Sequence, residues 1–293
     1  MKKYPVLKEN EDFFISKNLN GLKGSRVKNV AYMKYDIKKA MFKYEFDSDK
    51  LSEACSEKLS YEIAKILGYK CAHIELAQDM NGKKGVLNFL FTKENEQHFD
   101  ASEFLNITGK SRKEFYTLDN IQKVLNGIDK KLFLKFIKIM VFDALVGETD
   151  RHEENWGLTL HNNKYYTISP LYDNGTNLLR EFKNEMFSKE YFLNPPRKDF
   201  EKYIWKGKAC IYTTDKQKYK LFDLVKELLK REPTIVKKEL RNLKKLTPRR
   251  IIYIVNRIPS NYITTKHKEF IIKYLLRRKE ILQNLLEEGT KNE

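Results

Sequence analysis

Two carboxylates and a carboxamide stand out within one stretch of the chain, Gly147–Gly175 (GETDRHEENWGLTLHNNKYYTISPLYDNG). Asp150 and Asn155 are five residues apart, and Asp173 follows Asn155 by 18. Leu158–Leu160 and Tyr165–Ile168 are short apolar runs around His161–Asn163, a pattern that predicts a hairpin. Such a hairpin brings the two ends of the stretch together. One carboxylate can then face a substrate hydroxyl while the Asn and the second carboxylate share a cation. Phosphoryl transfer needs that grouping: its catalysis is positioning plus charge neutralisation, with Mg²⁺ bridging phosphates and an Asp accepting the hydroxyl proton. Mg²⁺ takes one or two carboxylates or carbonyls and keeps its waters, so Asn155 and Asp173 suffice without a full cage.

The elements that must position these groups are legible on either side. Leu132, Phe133, Phe136, Ile137, Met140 and Leu145 recur at helical spacing, so Lys130–Val146 reads as a buried helix ending just before Asp150. Up to about residue 93 the pattern is short strands: Phe13–Ile15, Val30–Tyr35 and Ala40–Phe46, the second pair closing as a hairpin through Asp36–Lys39. Leu51–Leu67 fits a helix with Gly68 as its C-cap. Ala72–Gln78 and Val86–Thr92 add two strands, with Asn81-Gly82 in the turn. Five strands and one helix make a small α+β lobe. Polar Lys93–Ser102 reads as the connection to a second lobe, whose helices are expected around 217–231, 232–245, 248–258 and 267–288, with Pro233 in a first turn.

The two loops resemble those of the HipA-like kinases, distant relatives of protein kinases and phosphoinositide kinases. TDRHEENWG is similar to the family's catalytic loop and SPLYDNG to its metal-binding loop, in the same order and spacing. The resemblance implies an α+β, bilobal protein-kinase-like fold, with a β-rich N-lobe over 1–95 and a larger helical C-lobe over 96–293. It implies ATP and Mg²⁺ as cofactors, Asp150 as catalytic base, and Asn155 and Asp173 as metal ligands. The strand AMFK puts Lys43 where the family's phosphate-contacting lysine belongs, and SEKLSYEIAKILG puts Glu57 as its partner. A helical wheel alone leaves that glutamate open, since Glu62 falls nearer the apolar stripe. Gly21–Lys28 (GLKGSRVK) resembles the family's GSRxK-type phosphate loop and implies Gly24, Ser25 and Lys28 as ATP-binding residues, with Ser25 a candidate autophosphorylation site. Glycines let backbone N–H groups approach phosphate, although the loop lacks the full GxGxxG of protein kinases. His152 has two readings: a group near the chemistry, as in the DRHxxN order of phosphoinositide kinases, or a loop-structuring imidazole bonded to backbone. Trp156 and Tyr172 read as packing residues.

The implied activity is transfer of the γ-phosphoryl group of ATP to a protein Ser or Thr, by a toxin-type kinase acting on a translation component. A phosphoinositide or small-molecule kinase is the alternative that DRHxxN supports. A non-catalytic nucleic-acid-binding module is a third reading; its signature would be loss of Asp150, Asn155 or Asp173, and all three are present. The resemblance also implies an antitoxin partner. This chain, however, starts almost directly at the small lobe, where longer members carry an N-terminal subdomain that can contact a DNA-binding antitoxin.

Composition bounds these readings. Of the 293 residues 41% are hydrophobic, which is enough for a sizeable core and argues against a disordered chain. No apolar run approaches the roughly 20 residues of a membrane span, and no apolar stretch follows the N-terminal lysines as in a secretory signal. The expectation is a soluble, cytoplasmic protein. Cys55, Cys71 and Cys210 form no CxxC pair, and the histidines form no HExxH, which disfavours disulfides and zinc chemistry. The net charge of +17 is lopsided: +4 over residues 1–197 and +13 over 198–293. That basic last third is either a solvated helical surface or a face for an acidic partner, such as a substrate bound to tRNA.

Overall fold

The computed structural model describes residues 1–16, 28–36, 38–45, 51–107, 112–180 and 198–288. The β-branched and aromatic runs of the first 90 residues form one six-stranded sheet of order β1-β5-β6-β4-β3-β2. Its strands are β1 (Val6–Lys8), β2 (Phe13–Ser16), β3 (Lys28–Met33), β4 (Lys39–Tyr44), β5 (Ile74–Gln78) and β6 (Lys84–Phe89). β1 runs parallel to β5 and every other neighbouring pair is antiparallel. The sheet has one strand more than the sequence predicts: three-residue β1 has no periodicity of its own and is recruited by pairing with β5.

Side chains alternate across a pleated strand, and β4 uses both faces. Ala40 and Phe42 are buried with Phe13, Ala31 and Leu87 on one side, where the Phe13 and Phe42 rings stack at 5.7 Å. Lys43 points to the other side. There α1 (Glu53–Leu67) covers the sheet, its Leu59 and Ile63 sharing a core with Ile74, Leu76 and Val86. The helix begins where the Ser52 hydroxyl accepts the Cys55 N–H, and ends at Gly68 in the left-handed conformation.

The second region is built around α5 (Lys130–Val146), preceded by α2 (Ala101–Phe104), α3 (Arg112–Phe115) and α4 (Leu118–Ile128). The last eight residues of α5 are all buried, because helices Leu221–Arg231, Pro233–Asn242 and Thr265–Glu288 join α4 around it. Beside it lies a three-stranded antiparallel sheet of order β7-β8-β9, from Glu96–Asp100, Gly157–His161 and Tyr165–Ile168. β8 and β9 are the hairpin that the sequence predicts. β7 corrects the reading of Lys93–Ser102 as a plain connection: its polar residues pair with β8 at a sheet edge, where no apolar alternation is required.

The N-terminus is tied to the late helices. Tyr4 N–H donates to the Arg257 carbonyl at 2.8 Å, the Lys3 ammonium to the Asn256 carbonyl at 2.7 Å, and the Tyr262 hydroxyl to the Ala77 carbonyl at 3.0 Å. Among the described residues no helix is long and apolar enough to cross a membrane, and Cys55, Cys71 and Cys210 are free thiols.

Gly147 caps α5 at φ +77°, and a Cβ there would run into the Tyr274 hydroxyl. Gly68 caps α1 at φ +75° with open space around it. Gly68→Ala is therefore expected to lose about 1–2 kcal/mol from backbone conformation alone. Gly147→Ala adds the collision and is expected to lose about 1–3 kcal/mol more. Urea unfolding midpoints of the two variants check the difference.

Candidate active site

Lys43 lies between Lys28 on β3 and Val86 on β6. Its ammonium donates to Glu57 Oε1 at 3.0 Å and to Asp173 Oδ1 at 2.9 Å. Three elements thus meet at one nitrogen: β4 brings the lysine, α1 brings Glu57, and the turn after β9 brings Asp173. Glu57 is 1% exposed, a depth at which a carboxylate needs a cation. Its other oxygen accepts the Asn174 N–H at 3.3 Å. Asp173 is turned toward the lysine by a left-handed backbone (φ +52°), which Asp tolerates better than most residues.

The electrostatics follow from burial and pairing. Burial opposes charge on Lys43, but Glu57 and Asp173 outweigh it and hold the lysine above its ordinary pKa. Burial pushes Asp173 up, and Lys43 more than reverses that, so the carboxylate titrates below its usual range. Lys28 is lowered, first by burial and then by repulsion from Lys43. Glu62, the other candidate on α1, pairs with Lys58 at 3.1 Å instead.

Asp150, Arg151, His152 and Asn155 form the loop after α5. Asn155 Nδ2 donates to the Asp150 carbonyl at 2.8 Å, folding the loop on itself and leaving Oδ1 as its acceptor. His152 Nδ1 accepts the Glu154 N–H at 3.2 Å, and the ring lines the cleft. The cleft measures about 610 Å³. Lys28, Lys43 and Glu57 line it together with Asp150, Asn155 and Asp173, and the stacked rings of Phe91 and Tyr172 (5.6 Å) lie on its wall. Asn155 and Asp173 are hard oxygen donors, the type Mg²⁺ takes. Among the described residues no cluster of three His, Cys, Asp or Glu could hold a metal alone. Two protein oxygens fit an ion whose remaining shell is water and phosphate. Gly24 and Ser25 lie outside the described residues.

Sequence reasoning missed the two residues that brace this site. Arg151 is buried with all five donors engaged. Nε and Nη2 grip Asp143 of α5 at 3.1 and 2.9 Å, Nη1 reaches the Asn155 and Tyr172 carbonyls at 2.9 and 2.7 Å, and Nη2 also reaches Asn174 Oδ1 at 2.6 Å. Burial disfavours its charge, but Asp143 more than compensates and raises its pKa. The one available signal was Asp143 itself, the lone acid of α5, set in its otherwise apolar last eight residues. Glu148 is the second brace: its buried carboxylate accepts from the Asp150 N–H at 2.9 Å, the Asn177 amide at 3.1 Å and the Thr176 hydroxyl. Trp156 is buried as expected, and its indole N–H donates to Tyr116, whose hydroxyl donates to the Arg151 carbonyl. Tyr172 does more than pack, since its hydroxyl donates to Asp100 at 3.0 Å beside the cleft.

Comparisons with known proteins bear on the family and the fold. Residues 21–204 match the family described as HipA-like C-terminal domain. Over 65 residues the chain is 38% identical to serine/threonine-protein kinase CtkA of Helicobacter pylori strain J99, a match covering 20% of each chain and so about a fifth of that relative. The crystal structure of a Helicobacter pylori proinflammatory kinase CtkA superposes with a TM-score of 0.78 at 20% identity, over 98% of this chain and 100% of that one. HipA of Shewanella oneidensis MR-1, from a complex of HipA, HipB and operator DNA, gives a TM-score of 0.57 at 13% identity, over 92% and 66%. The fold is thus α+β, bilobal and kinase-like, with a small β-rich part and a larger helical part.

Arg151→Met strands Asp143 as an unpaired buried carboxylate and is expected to cost about 3–5 kcal/mol. Adding Asp143→Asn should restore part of that loss in guanidinium melts. Glu148 has its pKa raised to about 7, mainly by burial. A carboxyl raised in the fold stabilises it below the unfolded pKa and loses that contribution as pH rises through the folded one. The stability of the wild type relative to Glu148→Gln should therefore fall between about pH 4.5 and 7 and level off above. Thermal midpoints across that range read the difference.

Proposed function

The chain belongs to the HipA-like C-terminal domain family, and from that premise we propose that it transfers the γ-phosphoryl group of ATP to a Ser or Thr hydroxyl of a protein. One observation carries the reading: Lys43 is shared between Glu57 and Asp173 in a cleft that Asp150 and Asn155 also line. The name of the related serine/threonine-protein kinase supports the choice of acceptor.

In this mechanism the lysines are the phosphate end of the site. Lys43, held charged by its two carboxylates, contacts the phosphates, and Lys28 beside it adds a second positive charge. Asp150 is exposed at the cleft, so its carboxylate can reach a hydroxyl presented from outside. It accepts that proton as the hydroxyl oxygen bonds to the γ-phosphorus and the bond to the bridging oxygen of ADP breaks. Asn155 Oδ1 and the Asp173 carboxylate would hold Mg²⁺, which when bound neutralises phosphate charge. Arg151 keeps the two loops in register. His152, which lines the same cleft, adds a further polar group.

The N-lobe is residues 1–95 and the C-lobe 96–293, with the cleft between them. Gly24 and Ser25 form the phosphate loop with Lys28, and Ser25 is the autophosphorylation site. The role is that of a cytoplasmic toxin-type kinase acting on a translation component, with an antitoxin partner. The complex of the related HipA with HipB supports that partner. The basic last third receives an acidic or tRNA-bound substrate.

Intact mass after incubation with ATP and Mg²⁺ tests the core of this. Wild type should gain phosphate, while Asp150→Asn and Lys43→Met should be slower by about 10²-fold or more. MgATP should raise the thermal midpoint of wild type and Asp150→Asn but much less that of Lys43→Met. A wild type neither phosphorylated nor stabilised by MgATP would sink the reading.

A further inference from the structure

The late helices carry a surface that the cleft chemistry does not use. Between Glu232 and Glu269 ten Lys and Arg side chains accompany one acidic residue, Glu239. That residue is buried and engaged by the Tyr69 hydroxyl at 2.7 Å and Lys138 at 3.4 Å. The positive charge outside is therefore unopposed within the segment. Lys238, Arg241, Lys244, Lys245 and Arg249 are exposed and, among the described residues, form no ion pair. They sit on helices Pro233–Asn242 and Pro248–Asn256 and the turn between, where Arg250 Nη1 donates to the Lys245 carbonyl at 2.8 Å. On α1 and β5, Glu62 and Glu75 are taken by Lys58 at 3.1 and 2.9 Å.

A helix surface with no partner ordinarily mixes both signs, because like charges a turn apart repel. Here the repulsion is left standing. The cations are also of an unusual type for this chain. From Lys237 to Arg257 four of eight are arginine, against 12 of 57 overall, and arginine's planar fork suits phosphate oxygens. Among them Tyr253 is 53% exposed, with the Arg257 guanidinium 5.4 Å from its ring and Ile252 beside it, 42% exposed.

We propose that this surface binds single-stranded nucleic acid, with the cations along the phosphates and an unpaired base stacked on Tyr253. A duplex hides its base faces, so an exposed ring among arginines has its use with unpaired bases. None of these residues lines the cleft, so the inference does not rest on phosphoryl transfer.

Fluorescence anisotropy of the full chain with labelled oligouridine and oligothymidine tests it, with labelled heparin as a polyanion that has no bases. Binding to the oligonucleotides is expected at about 50 mM salt and should weaken steeply as salt rises. The triple change Lys244→Gln, Lys245→Gln, Arg249→Gln should weaken it at least tenfold and flatten the salt slope by about 2. Tyr253→Ala should weaken oligonucleotide binding about tenfold and leave heparin unchanged, while Tyr253→Phe behaves as wild type. No oligonucleotide binding, or equal loss for heparin and oligonucleotide in Tyr253→Ala, overturns the proposal. Lys43→Met should still bind, which separates this result from failure of the catalytic reading.

Discussion

The five N–H donors of Arg151 reach three segments: the core helix α5, the loop of Asp150 and Asn155, and the turn that carries Asp173. A guanidinium is suited to this because its donors lie in one plane at fixed angles, so satisfying all of them fixes relative orientation as well as distance. The group is buried, and a buried charge is tolerable only with a counter-charge and filled hydrogen bonds. Asp143 supplies the first and three neighbouring oxygens the second. The loops of the cleft are thus referenced to α5, the most enclosed helix, and inherit its rigidity.

On the sheet side the same problem is solved with separate pairs. Glu57 and Lys58 are adjacent on α1 and both buried, yet they serve different strands: Glu57 meets Lys43 of β4, and Lys58 meets Glu75 of β5. Each pair joins the helix to the sheet at a defined register. The Glu57 and Lys58 charges on α1 are therefore buried and paired, whereas Lys238, Arg241, Lys244, Lys245 and Arg249 are exposed and, among the described residues, form no ion pair. A net charge alone cannot distinguish these two distributions; only burial does.

Much of the site was legible because its residues are close in sequence. The spacing of Asp150, Asn155 and Asp173, the hairpin between them and the apolar periodicity of Lys130–Val146 are local patterns, and α5 has the bounds its periodicity predicts. What was not legible depends on distant partners. An arginine in a loop reads as solvated, and only its meeting with Asp143 eight residues earlier makes it a hub. The wheel could not choose between Glu57 and Glu62, because the choice is made by where β4 and β5 lie across the helix. β7 has no apolar alternation of its own and becomes a strand only when β8, some 60 residues later, pairs with it. β1 is three residues long and exists through β5.

The tie between the N-terminus and the late helices has a consequence for synthesis. Lys3 bonds to a carbonyl 253 residues away, and Tyr4 is buried beneath Arg257, whose guanidinium lies 4.1 Å from its ring. During translation Lys3 and Tyr4 emerge long before the residues that fix them. The six-stranded sheet can assemble when β6 emerges, but its β1 edge stays unlocked until residues 256–262 arrive. A nascent chain stopped short of that point presents a sheet with an open edge, the feature chaperones and aggregation both recognise. Closure of this sheet edge therefore waits on helices from the other region of the fold.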